Sequence, residues 1–366
     1  MHAKSAIFSF FLIIAFSTPA RAELPPGYTF TFIPELQGPL SINNAGQILG
    51  TDGTQGLLWQ NGHFSAVGGL ASGLNDSGQI AGTLNGQATV WSGTAPTTLQ
   101  SLVEGEESHA TGINNAGQVI GWSGSQSEQV PVIWNGTTPT SLQLNSGRAM
   151  AINNNAQVVG EANFGTGSEL VSHAFLWEGG AVLDLGTVSP DRPFSIAQSI
   201  NDAGQVVGFS FAPDFGNHAA FTWENGVMTP LAGFEGGTDA LDINNHGQIV
   251  GQFGAPFGGD QSLAVLWDAG DMYDLNSFLD PQQVDDGWAL FFASSINDQG
   301  QIIGFAFNHV TSASGAFLLT PVPEPETYAL LMAGLGVVGF SARRHKSLAT
   351  PTNGSQHSFI PRRSEP

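Results

Sequence analysis

The chain has 366 residues, no cysteine and a formal net charge of −21 at pH 7. Disulfides, thiolate metal sites and cysteine nucleophiles are therefore excluded, and a large apolar core must hold the fold. Between Glu23 and Thr320, 27 acidic residues face only Arg148 and Arg192, a surface that repels phosphate backbones and anionic lipid and argues against nucleic-acid partners.

Residues 1–22 read as a secretory signal peptide. His2 and Lys4 give a weakly basic start, residues 6–16 an apolar run, and Ala20 and Ala22 the small-x-small pattern of a cleavage site. The run is too short to act as a membrane anchor. An exported body over 23–320 is expected.

That body repeats one nonapeptide seven times. "INNAGQILG" at 42–50 returns in variant form from residues 74, 113, 152, 200, 243 and 296. The spacing of 32 to 53 residues is near that of a four-stranded propeller blade, with loops of varying length. Each copy predicts a hairpin. The Asn at the second position (Asn43, Asn75, Asn114, Asn153, Asn201, Asn244, Asn297) accepts turn hydrogen bonds, and the Gly at the fifth supplies positive φ. The fourth copy has Ala156 in place of that Gly, so either its turn is strained or Asn155 takes the left-handed position.

A second strand follows each core and ends in Trp59, Trp91, Trp134, Trp177, Trp223 or Trp267, with Leu319 in the seventh copy. Adjacent positions in these strands are both apolar, which predicts cover on both faces and Trp side chains in the core. A third strand is expected over 64–67, 97–102, 141–144, 182–185, 227–231 and 272–275. The seventh unit lacks one, while "YTFTFIPEL" at 28–36 stands alone before the first core. Pairing 28–36 with the unit of 296–319 closes a ring and removes two open edges. The fold class is thus all-β, a seven-bladed β-propeller closed by its N-terminal strand.

"SHAFLWEGGAVLDLGTV" (172–188), with His173, Ala174 and Phe175 at its start, resembles the HAF-type extracellular repeat; "AAF" at 219–221 and "GAF" at 315–317 match it in part. The resemblance implies an extracellular repeat protein and brings no enzymatic activity.

Residues 321–346 form a second address. Pro323, Glu324 and Pro325 precede an apolar run from Tyr328 to Phe340, which is followed by Arg343, Arg344, His345 and Lys346. Thirteen helical residues span about 20 Å of a ~30 Å hydrocarbon core, which suits transient insertion of 328–342 better than a stable span. In order and spacing this segment resembles the PEP-CTERM sorting region. That resemblance implies recognition by an exosortase at the surface of a Gram-negative bacterium that makes exopolysaccharide. Residues 347–366 read as a disordered tail.

Chemistry should show as polar residues that break the repeat. The histidines at 63, 109, 173, 218, 246 and 309 occupy different repeat positions without metal spacing and read as scattered surface residues. The core Asn side chains are placed at one mouth of the ring, with Asp76, Asp202 and Asp298 behind them. One Asp in three of seven turns falls short of a calcium site, so no cofactor is expected. The acidic stretches 104–108 and 279–288 offer Glu104, Glu106, Glu107, Asp285 and Asp286 as a carboxylate pair for glycoside hydrolysis, with Trp122 and Trp288 as sugar platforms. The favoured function is a non-enzymatic, surface-sorted protein of the envelope or exopolysaccharide matrix with glycan as its candidate ligand. The alternatives are a polysaccharide hydrolase or lyase and a calcium-dependent adhesion module.

Overall fold

Each nonapeptide turns one hairpin. In the fifth copy the strand Phe194–Ile200 ends at the repeat's first residue, and Val206–Phe211 leaves antiparallel to it. Asn201 N–H donates to the Gln205 carbonyl (3.1 Å) and Gly204 N–H to the Asn201 carbonyl (3.0 Å), closing the turn. Gly204 has φ +82°, and Ala156 takes the same left-handed conformation at +61°. The strain in the fourth turn therefore falls on Ala156 and not on Asn155.

The computed structural model describes residues 27–322 apart from 126–128, 145, 166–170, 215–216, 234–236 and 255–261. The expected signal peptide with Ala20 and Ala22, the motif residues Pro323, Glu324, Pro325, Arg343 and Arg344, and the tail lie outside the described residues. No helix among the described residues is long and apolar enough to cross a membrane.

The strands form seven four-stranded antiparallel sheets, a seven-bladed β-propeller. Blade one spans 38–67, two 70–98, three 108–141, four 147–186, five 194–230, six 238–274 and seven 288–321. In blades one to six the four strands follow chain order from the axis outward. In blade seven the outermost strand is Tyr28–Ile33, paired antiparallel with Ser314–Pro321 so that Phe32 lies opposite Phe317 and Tyr28 opposite Pro321. Among the described residues, helix is confined to Pro281–Asp285 and one 3-10 turn, Leu275–Phe278.

The core is divided among the blade junctions. Seven buried clusters each join residues of two neighbouring blades; Leu49 and Val67 of blade one meet Leu74, Ile80 and Trp91 of blade two, for example. Trp91, Trp134, Trp223 and Trp267 are buried as expected. Trp59 and Trp177 are half-buried and pack against the clusters of their junctions, at the margin of the core. Trp134 Nε1–H donates to the Gln100 carbonyl (2.7 Å) and Trp267 Nε1–H to that of Ala232 (2.6 Å), each reaching the segment that links its blade to the one before. Trp177 Nε1 has no such partner.

Two outer strands also differ from expectation. They run Ala95–Thr98 and Thr138–Ser141, and end just before Leu99 and Leu142. Both leucines still donate their N–H to the neighbouring strand, Leu99 to Ala88 and Leu142 to Pro131, and their side chains plug the next junction at 2% and 0% exposure.

A β-bulge interrupts every innermost strand at the small residue three positions before the core. The register shifts between Ala149 and Ala151, Ala197 and Ser199, and Ala240 and Asp242, and likewise in the other four blades. The bulge presses two strands together. At Gly208, the last residue of the repeat, an added Cβ would land on the Ile196 carbonyl oxygen; Gly82, Gly121, Gly160, Gly251 and Gly304 meet the equivalent carbonyl. The extra residue is left unpaired and re-aimed.

Candidate binding sites

The seven repeat Asn side chains meet around the axis, 3–4% exposed. Asn201 shows how each one is used. Its Oδ1 accepts from Ala203 N–H (3.1 Å) and Gln205 N–H (3.0 Å), the turn-capping role expected from sequence. Its Nδ2 donates to Gln205 Oε1 (2.8 Å) and to the main-chain carbonyl of Asn244 in the next blade (3.2 Å). All four hydrogen-bonding valences of the amide are filled, and only an amide offers two donors beside an acceptor with two lone pairs.

The bond to the next blade repeats from Asn43 to Asn75, Asn114, Asn153, Asn201, Asn244 and Asn297, then from Asn297 back to Asn43, at 2.9–3.2 Å. It is a closed circuit with one sense of rotation. The signal missed in the sequence was the free amide N–H left after the turn had used Oδ1.

A second circuit lies on the first. The third residues of the repeats, Asn44, Asp76, Asn115, Asn154, Asp202, Asn245 and Asp298, each accept through Oδ1 the main-chain N–H of their counterpart in the preceding blade, at 2.8–2.9 Å. Asp76, Asp202 and Asp298 therefore form the outer rim above the buried Asn circuit, not a layer behind it. Every Asp has Asn on both sides, whose amides reach its Oδ2, as from Asn115 to Asp76 (2.8 Å) and Asn154 to Asp202 (2.9 Å). Burial alone would raise the Asp298 carboxyl. Hydrogen bonds from the Asn245 N–H, Asn245 Nδ2 and Asn44 Nδ2, with His246 nearby, hold it below the ordinary carboxylate value.

Seven positions cannot alternate perfectly, so Asn115 and Asn154 are neighbours. Theirs is the one junction of the rim, among the described residues, without a bond between side chains. The two circuits surround an open polar cavity of about 330 Å³.

One step along the axis, Asp242 follows the bulge of blade six. Its carboxylate accepts from Ser199 Oγ (2.7 Å), Ser295 Oγ (2.8 Å), Ile243 N–H (2.9 Å) and Ile296 N–H (3.0 Å), tying blades five, six and seven together. Burial outweighs those four bonds and pushes its carboxyl above the usual carboxylate range.

The acidic loops belong to different blades: residues 104–107 precede blade three, and Asp285 and Asp286 precede blade seven. Trp288 packs on Phe32 and Phe30 (centroids 4.4 and 5.5 Å) at a tilt, and one face of Trp122 stacks on His109 (4.2 Å). Among the described residues, no three His, Asp or Glu side chains converge as metal ligands.

Reading the histidines as surface residues fails at His218, which is 8% exposed. Its Nδ1 lies 2.6 Å from Asp239 Oδ1, and Gln252 Nε2 donates to Asp239 Oδ2 (2.6 Å). These three residues lie outside the nonapeptide and in three different strands or their edges, so no spacing pointed to them. They border a second cavity, of about 320 Å³, at the opposite end of the inner strands. Arg148 and Glu161 form an exposed ion pair at its edge (3.9 Å).

Comparison with known proteins bears on the two parts of the chain separately. Residues 321–345 match the PEP-CTERM protein-sorting motif. The motif points to export and a surface or extracellular location, and it starts at the last residue of the propeller's final strand, Ser314–Pro321. The propeller is similar in fold to the β-propeller domain of the Trilobed protease from Pyrococcus furiosus, described as having an open velcro topology. Identity is 7% over 81% of this chain and 94% of that one, with a TM-score of 0.52. It is also similar to the acylaminoacyl peptidase of Pyrococcus horikoshii, at 9% identity and TM-score 0.52, covering 81% of this chain and 53% of that one. The present chain thus spans about half the length of that peptidase. At such identity the likeness is one of fold. No curated protein matches the chain.

Proposed function

We propose that the protein is an exported, surface-sorted, non-enzymatic component of a Gram-negative cell envelope or exopolysaccharide matrix that binds glycan at its Asn/Asp mouth. The observation that carries the reading is the sorting motif following directly on the last strand. The propeller is then the cargo that an exosortase receives, held by 328–342 while the motif is read. The body's repeats are read as HAF-type, displayed outside the cell.

The mouth supports a polyhydroxyl ligand. Amide donors and carboxylate acceptors alternate around the rim except at Asn115 and Asn154, a mixed polar lining that suits vicinal hydroxyls. Three carboxylates disfavour anionic sugars. The gap between Asn115 and Asn154 leaves room for a ligand hydroxyl to bridge two blades. The strand Tyr28–Ile33 serves as the clasp of the ring.

The test is a glycan array probed with the full chain and with an Asn115→Leu, Asn154→Leu variant, alongside surface labelling in hosts with and without exosortase. Binding to neutral glycans that the variant loses, and surface display that needs the exosortase, are expected. Retention inside cells that carry the exosortase, or an array without any bound glycan, overturns the respective half.

A further inference from the structure

The cavity beside His218 is built differently from the polar mouth. Three bulged residues, Met150, Gln198 and Leu241, turn into it from blades four, five and six. Ile196, Phe209 and Phe292 complete a wall that is mostly apolar. Along it, Asp239 and Gln252 are 5% and 6% exposed.

The imidazole of His218 is fixed on two sides. Its ring stacks on Phe209, with centroids 4.9 Å apart and planes 8° from parallel. Its Nδ1 faces Asp239, whose other oxygen already accepts from Gln252. Both carboxylate oxygens therefore act as acceptors, which puts a hydrogen on Nδ1; in the neutral ring the lone pair is then on Nε2. That Nε2 is buried and has no hydrogen-bond partner. An orphaned buried polar atom is costly, and the ring that carries it lines the cavity, so a small molecule held there would satisfy it once the wall shifts slightly. Bonding to Asp239 accounts for Nδ1 but leaves Nε2 without a role inside the chain.

We propose that this cavity binds a small, mostly apolar molecule bearing a hydroxyl group, whose O–H donates to His218 Nε2. A cavity of about 320 Å³ lies near the lower end of small-molecule sites and suits a one-ring aromatic alcohol. Asp239 and Gln252 act as positioning residues that hold the imidazole in its accepting tautomer. The inference is independent of surface sorting and of the glycan reading, because it concerns the other end of the inner strands.

The experiment titrates the full chain, labelled with ¹⁵N-histidine, with p-cresol and with toluene, which differ by the one hydroxyl. Long-range proton–nitrogen spectra report each imidazole, and His218→Gln assigns the signal. The expected result is at least tenfold tighter binding of p-cresol, with a shift of the His218 Nε2 resonance that toluene does not produce. Ile196→Trp, which fills the cavity, should weaken p-cresol binding by tenfold or more. Equal affinity for the two probes, no binding of either, or p-cresol binding without a His218 shift overturns the proposal. These readings come from the unmodified chain, so they stand even if the Trp variant does not fold.

Discussion

The side-chain amide of Asn297 donates to the main-chain carbonyl of Asn43 at 3.0 Å, joining the last blade to the first across 254 residues. The contact is the same in kind as the six between successive blades. Two contacts thus join early and late parts of the chain, this amide link at the axis and the pairing of Tyr28–Ile33 with Ser314–Pro321 at the rim of blade seven.

Asn201→Asp tests the amide circuit. The substitution keeps shape and the Oδ1 acceptor, but sets a carboxylate oxygen against the Asn244 carbonyl and Gln205 Oε1. Two buried donors become acceptors facing acceptors, so a loss of about 2–5 kcal/mol is expected in urea denaturation at pH 7. A change below 0.5 kcal/mol on that scale would show that the cross-blade bonds carry no stability.

Ala156→Gly should stabilise the chain. Ala156 is the one residue without a glycine's freedom at the left-handed turn position of the seven repeats, with φ +61°. Relief of about 1–2 kcal/mol of backbone strain exceeds the entropy a glycine adds to the unfolded chain, about 0.4–1 kcal/mol. A net gain of about 0.5–1 kcal/mol, read as a raised denaturation midpoint, follows from the difference. A lowered midpoint would contradict it.

The clasp can be locked covalently, because the chain has no other thiols to compete. Thr29 and Thr320 are register partners, and Thr29 Oγ1 donates to the Thr320 carbonyl at 3.3 Å. A Thr29→Cys, Thr320→Cys variant should oxidise spontaneously and gain about 2–4 kcal/mol over its reduced form. Failure of the two thiols to cross-link under oxidising conditions would place the strands apart.

Asp242 gives a pH signature. Its folded-state pKa is raised, so above about pH 4 the folded chain holds a proton that the unfolded chain has lost. That contribution to stability declines as pH rises through the window between the unfolded and folded values. Asp242→Asn removes it, so the melting temperature of the variant relative to the parent should rise from pH 4 to pH 7. Carboxylates held low, such as Asp298, act alike in both proteins and cancel in the comparison. A constant difference across that range would mean Asp242 titrates normally.

The repeat made the architecture legible. Seven hairpins, the doubly covered middle strands and the lone strand at 28–36 all follow from spacing and from apolar residues at adjacent positions. What the reading missed lies between blades. The Asn amide N–H groups bond to residues 32 to 254 positions away, and no local pattern encodes a partner at that distance. The small residue before each core was visible, but its neighbours Met150, Gln198 and Leu241 look like ordinary strand residues until the bulge turns them into a cavity. His218, Asp239 and Gln252 fall outside the repeat and meet only because blades five and six adjoin. Trp59 and Trp177 share a repeat position with the buried tryptophans, and periodicity alone could not separate them.

The amide circuit has no seam. It passes from residue 297 to residue 43 as it passes between any other neighbouring pair, and Tyr28 lies opposite Pro321 where the chain enters and leaves. The circuit therefore carries no mark of where the chain enters the propeller. A permuted chain, spliced from 321 to 28 and opened between two other blades, keeps every link of the circle.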